Sequence, residues 1–174
     1  MDLWQAIEDR YSVRAFDPTV EASSEAIERL LQAATQAPSA GNRQPWHFYV
    51  VRDPRVRQAL VVAAHGQEFI RQAPVAIVVC ADAEQSAGRY GQRGRELYCL
   101  QDTAAAIEHI LLGAVALGLG GCWVGAFDED LAAQALNLPR KHRPIAILPI
   151  GKPAGKPARR TTRQPLSTVT SYVG

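Results

Sequence analysis

Two segments near the start of the chain concentrate cationic and amide groups beside apolar, strand-like sequence. They are Arg10-Tyr11-Ser12-Val13-Arg14-Ala15-Phe16 and Ala37-Pro38-Ser39-Ala40-Gly41-Asn42-Arg43-Gln44-Pro45-Trp46. Arg10 and Arg14, with Ser12 between them, can grip a phosphate through charge-assisted, partly bidentate hydrogen bonds. Asn42 and Gln44 each carry donors and acceptors suited to the edge of a heterocycle. As a set, these groups fit a flat, anionic cofactor. Singly, each has an ordinary explanation: arginines four apart at a helix end can be solvated, and Asn42 can close an Asx-type turn before a strand. A third segment, Gly120-Gly121-Cys122-Trp123-Val124-Gly125-Ala126-Phe127-Asp128-Glu129, has small residues that let backbone approach a ligand closely. It also reads as a glycine-rich turn into a helix N-terminus.

Other chemistries find no support. Gly151-Lys152-Pro153-Ala154-Gly155-Lys156-Pro157 is one residue short of a P-loop and has proline where a hydroxyl should hold magnesium. Gly118-Leu119-Gly120-Gly121 lacks the third glycine of a dinucleotide fingerprint. His47, His65, His109 and His142 show no metal-ligand spacing with one another or with the cysteines.

These segments need elements to position them. Asp2 with Gln5 predicts a capped first helix that delivers Arg10 at its end. A second helix starting after Ser23 or Ser24 carries Ile27, Leu30, Leu31 and Ala34 and stops before Pro38. Strands are expected at Trp46 to Val51, Pro74 to Cys80, Cys122 to Phe127 and Pro144 to Ile150, alternating with helices over Asp53 to Ala64, Gln101 to Leu117 and Asp128 to Leu136. Gln101 to Leu117 is apolar nearly all round, which demands burial all round and suggests cover from a second subunit. Asp82 to Glu96, with Gly88, Gly91 and Gly94, reads as a polar surface loop able to cover a site. The end of the chain, Leu166 to Val173, has strand-like character suited to pairing with a sheet edge on a partner.

Composition narrows the classes further. The chain has 174 residues, 47% of them hydrophobic, enough for one domain with a substantial core. A net charge of +2 gives no reason to expect nucleic acid or an anionic membrane as partner, so a small molecule is expected. Cys80, Cys99 and Cys122, each flanked by apolar residues, read as buried free thiols. With no signal-peptide pattern at the start, they lead to an expected cytoplasmic location. Ile110 to Phe127 is uncharged for 18 residues, but Gly118, Gly120 and Gly121 divide it into a helix end, a turn and a strand rather than a membrane span.

Taken together, the Arg10 segment, the Pro38-Ser39-x-x-Asn42-x-Gln44-Pro45-Trp46 pattern and the Gly120 segment resemble, in order along nearly the whole chain, the nitroreductase family of flavin mononucleotide (FMN) enzymes. The resemblance implies an α+β fold: a central mixed β-sheet flanked by helices, forming a single domain over residues 1–174. It further implies a homodimer with FMN at the subunit interface and an exchanged C-terminal strand. On that resemblance Arg10 and Ser12 hold phosphate, with Tyr11 where relatives commonly carry arginine or histidine, and Arg14 reaches the ribityl chain and the pyrimidine edge of the ring. Pro38 and Ser39 shape a loop from which Asn42 and Gln44 line the ring and ribityl chain. Trp123 and Val124 lie beside the ring, the Gly125 and Ala126 amides face its hydride-accepting atom, and Gly151, Arg160 and Arg163 form a C-terminal phosphate feature. NADH or NADPH is the implied electron donor and a nitroaromatic or quinone the implied small-molecule acceptor, with no side chain acting as an essential acid or base. Reductive dehalogenation, ene reduction or azoline oxidation on the same scaffold, and a flavin-binding protein without turnover, are the alternatives.

Overall fold

The computed structural model describes residues 1–155 and 161–174. Asp2 opens α1 (Leu3–Asp9) by accepting the Gln5 N–H at 2.9 Å, and Arg10 is its C-cap. Ser23 opens α2 (Ser24–Thr35) in the same way, accepting from Ala26. A 3-10 turn (Ala40–Asn42) precedes β1 (Trp46–Val51). Asp53 caps α3 (Pro54–Ala63), whose proline occupies the first turn, where its missing N–H costs nothing. Then follow α4 (Phe69–Gln72), β2 (Val75–Asp82), α5 (Ala83–Arg93), a π-helical turn (Gly94–Tyr98) and α6 (Cys99–Ala116). β3 (Gly120–Gly121), α7 (Glu129–Leu136), β4 (His142–Gly151) and α8 (Leu166–Val169) complete the order.

The strands form one sheet in the order β1-β2-β4-β3, and all three ladders are antiparallel. The sheet becomes mixed only at its β3 edge, where Ser12 bridges Gly121 in parallel. Every residue of β2 is buried, because both faces of the sheet are covered. On one face Val75, Ile77 and Val79 meet Ala146, Leu148 and Ile150 under α2 and α6, through Leu30, Ile107 and Ile110. On the other, Ala76, Val78, Cys80 and Ile147 pack beneath Leu60, Ile70 and Ala132 of α3, α4 and α7. This two-sided burial explains why β2 reads as a continuous apolar run. The three cysteines are free and buried, and burial pushes the Cys80 thiol up to about 12.

Several expectations need correction. The segment from Asp82 to Glu96 is helical: Asp82 caps α5 by accepting the Gln85 N–H at 3.1 Å, and Ser86 is fully buried. Its glycines bend the helix rather than dissolve it, with Gly91 at φ 55°, ψ −137°. The strand expected from Cys122 to Phe127 is shorter and earlier: β3 is Gly120–Gly121, followed by a single bridge from Val124 to Ile147. Of the strand-like end, Leu166–Val169 forms one helical turn, nearly all of the rest is exposed, and among the described residues it pairs with no strand. Ile110 to Phe127 divides at the Leu117–Gly118 turn, and among the described residues no helix is long and apolar enough to cross a membrane. α6 is covered on one face only, leaving Ala104, Ala105, Leu112 and Val115 half-buried.

Candidate cofactor site

At the β3 edge the chain builds a platform from two segments far apart in sequence. The Val13 N–H donates to the Gly121 carbonyl at 3.0 Å, and Ser12 bridges the same residue. Only glycine permits this approach: a Cβ on Gly120 would come within 2.6 Å of Val13 Cγ2, and one on Gly121 within 2.6 Å of Ile150 Cδ1. Val13 and Phe16 are buried, and Ser12 and Arg14 on either side of Val13 are left exposed. The Arg14 guanidinium lies 5.9 Å from the Phe69 ring centre. Arg10 turns toward α6, its Nε 3.5 Å from Glu108. Tyr11 donates its hydroxyl to the Gly155 carbonyl at 2.9 Å, tying the platform to the segment that follows β4. Burial raises the Cys122 thiol above its ordinary value, while Arg14 and the Ser12 hydroxyl pull it back, which places both groups beside this edge.

From Gly121 the backbone runs along β4 to Gly125 and Ala126. Both are exposed, and among the described residues their N–H groups have no hydrogen-bond acceptor. The turn is held open from below: Gln67 donates its amide to the Ala126 carbonyl at 3.2 Å, and the Asp128 N–H donates to Ala63 at 2.9 Å. Trp123 is exposed, but the Val124 side chain is buried in the core. Gly151 is a packing position, since a Cβ there would meet Pro74 Cδ at 2.6 Å. Arg163 bonds Thr161 of its own segment at 3.0 Å, and Arg160 lies outside the described residues.

The amide loop has a separate support. Gly41, Asn42 and Gln44 all have left-handed backbone, at φ 56°, 54° and 51°. Two of them are not glycine, and such strain persists only where the surroundings fix it. Ser39 Oγ accepts the Gln44 N–H at 3.0 Å, and Gln44 Nε2 reaches Asn42 Oδ1 at 3.2 Å. Asp102 of α6 accepts the Ala40 N–H at 3.1 Å, and Arg43 and Gln85 exchange bonds from side chain to backbone in both directions. Pro38 is exposed at the loop entrance. The sequence reading missed Asp102, Glu108 and the α5 wall. A signal existed, because Asp102 and Glu108 are the two acidic residues of a largely apolar helix, and they contact the amide loop and Arg10.

One chain presents the two sets apart. Trp46, after the amide loop, pairs with Ala81, which pairs with Arg143 near the start of β4; Gly121 pairs with Ile150 near its end. At about 3.3 Å per residue, Arg143 to Ile150 spans about 23 Å. No hydrogen bond or ion pair joins the Arg10 segment to the amide loop among the described residues.

The fold is α+β, with cations and free backbone amides at one sheet edge, and sequence comparison gives its family. The nitroreductase family model matches residues 7–67 and 61–152, and the chain belongs to that family. A protein of Archaeoglobus fulgidus, provisionally named NADH dehydrogenase/NAD(P)H nitroreductase, is 37% identical over 148 residues, covering 83% of this chain and 81% of its own. A protein of Methanothermobacter thermautotrophicus with the same provisional name is 32% identical over 171 residues, covering 95% of this chain and 84% of its own. In structure, a provisionally named nitroreductase of Exiguobacterium sibiricum solved in complex with FMN aligns with a TM-score of 0.90 over 99% of this chain and 98% of that one, at 22% identity.

Proposed function

We propose that the chain is an FMN-dependent oxidoreductase, a single domain over residues 1–174 that works as a homodimer. It takes hydride from NADH or NADPH and passes electrons to a nitroaromatic, quinone or similar acceptor. The observation that carries this reading is the β3 edge, where exposed Ser12 and Arg14 flank the Val13–Gly121 contact and the chain continues from Gly121 to exposed Gly125 and Ala126, whose N–H groups have no acceptor among the described residues. The donor set suits the group. Arg10 and Ser12 would hold its phosphate, and Arg14 would face the pyrimidine edge, where a fixed cation favours the negative charge of the reduced form. Gly125 and Ala126 would donate hydrogen bonds to the ring, with Trp123 beside it. Bound FMN supplies the two-electron chemistry itself, and the protein supplies orientation and electrostatics.

The separation of the amide loop from the β3 edge supports the dimer. Asn42 and Gln44, shaped by Pro38 and Ser39, would line the ring and ribityl chain of FMN held at the subunit interface, and their distance from the β3 edge fits their serving the site of a second copy. Apolar surface is available for that contact: Leu3, Trp4 and Ile7 of α1 are 61%, 74% and 44% exposed. Arg163 and the tail would reach the phosphate only in that assembly.

Visible absorption of the purified protein tests the reading. A flavin spectrum that bleaches on anaerobic addition of reduced nicotinamide is expected. Protein that stays colourless after FMN is offered would overturn it.

A further inference from the structure

Beside the amide loop stands a group of cations that the flavin reading does not use. A Cβ on Gly41 would lie 2.5 Å from Tyr90 Oη and 3.1 Å from Arg89 Cδ, and one on Gly88 would lie 3.6 Å from an Arg43 terminal nitrogen. Arg43 and Arg89 therefore flank the same contact between the loop and α5. One turn on, the Arg93 guanidinium lies 5.2 Å from the Tyr98 ring centre and donates to its hydroxyl at 2.9 Å. Arg89 similarly lies 5.6 Å from the Tyr90 ring centre.

The charge of these groups is not cancelled locally. Glu84 is occupied by Arg95 in a bidentate pair at 2.8 and 3.0 Å, and Glu96 is hydrogen-bonded by Gln92. Among the described residues Arg43, Arg89 and Arg93 form no ion pair. Guanidinium groups left without carboxylates, two of them exposed over aromatic rings and the third fixed to the Gln85 carbonyl, form an anion site open to solvent. Their planes also offer stacking surfaces to a flat base. A dianionic phosphate on a purine ribose matches both properties.

We propose that Arg43 and Arg89, backed by Arg93, bind the 2′-phosphate of the electron donor and make the enzyme selective for NADPH over NADH. The assignment rests on the flavin reading above. The phosphate makes charge-assisted hydrogen bonds that NADH cannot form, so NADH leaves the cations facing water.

Steady-state kinetics of the flavin-loaded protein test this. The expected result is a higher kcat/KM for NADPH than for NADH, with Arg89→Ala and Arg43→Met each lowering that ratio by about tenfold to a hundredfold. Adenosine 2′-monophosphate should compete with the donor, and adenosine without the phosphate should not. Arg43 also bonds the Gln85 carbonyl, so Arg89→Ala, which breaks no hydrogen bond, decides the matter if Arg43→Met fails to fold. Equal use of the two donors, or an unmoved ratio in flavin-loaded Arg89→Ala, overturns the proposal. It is equally overturned if the ratio holds while preference for a carboxylated over an uncharged nitroaromatic collapses, because the arginines would then serve the acceptor. Absence of flavin from the unsubstituted protein is a different failure, of the underlying functional reading, and the visible spectrum separates the two.

Discussion

Asp102 illustrates how a single side chain far from the cofactor edge can set the geometry of a binding loop. It is 7% exposed, its Oδ1 accepts the Ala40 N–H, and its Oδ2 has no partner among the described residues. Burial pushes its carboxyl above the ordinary value of 3.8, with the Ala40 N–H pulling the other way. The folded chain thus holds the proton more tightly than the unfolded one. Ionisation therefore costs stability above the raised folded value, and that cost disappears as pH falls below the ordinary value. Asp102→Asn cannot ionise, so urea denaturation should show the parent gaining on this variant between neutral pH and about pH 4. Asp102→Ala removes the acceptor of the partly buried Ala40 N–H and should cost about 1 kcal/mol, together with weaker flavin retention. Gly41→Ala tests the same loop from its other side. Its φ of 56° and the nearby Tyr90 hydroxyl predict a loss of about 1–2 kcal/mol, read as a lower thermal midpoint.

At the level of elements, the platform depends on two backbones lying closer than any side chain allows. Gly120→Ala should push Val13 away from β3, carrying Ser12 and Arg14 with it. The expected outcome is a folded protein with markedly weakened FMN affinity, measured by fluorescence titration. Full affinity in a folded variant would count against the β3 edge as the phosphate platform. Much of this framework was legible in sequence. Asp2, Ser23 and Asp128 cap helices as their types require, and the apolar runs of β1, β2 and β4 are strands. The misreadings have physical causes. Glycines at 88, 91 and 94 suggested a loop, but the Asp82 cap and buried Ser86 hold α5 together, and bending at Gly91 accommodates it. Leu166 to Val169 looked like strand but forms a helical turn, because local propensity is weak where no sheet edge of the same chain is at hand. In the candidate site, the residue types pointed to anion and amide chemistry, but the separation of the two sets along β4 depends on register, which spacing cannot reveal.

For the molecule as a whole, the proposed homodimer predicts that stability and cofactor binding rise with protein concentration, with the incompletely buried α1 and α6 as the surfaces available for the contact. Trp4→Glu puts a charge in the exposed apolar stripe of α1, and light scattering should show a monomer that has lost its flavin. A variant that stays dimeric and yellow would place the subunit contact elsewhere. The buried thiols give the chain an internal clock. Cys80 lies at the centre of the sheet, Cys99 at the first turn of α6, and Cys122 directly after β3 beside Ser12 and Arg14. A thiol sealed in the fold reacts with an alkylating reagent only when its surroundings open, so each labelling rate dates the opening of a different region. Mass spectrometry of the three peptides should find Cys80 reacting last, at the rate of global unfolding. Cys122 should slow when the edge beside it is occupied, so reagent access there would report cofactor residence without any optical signal.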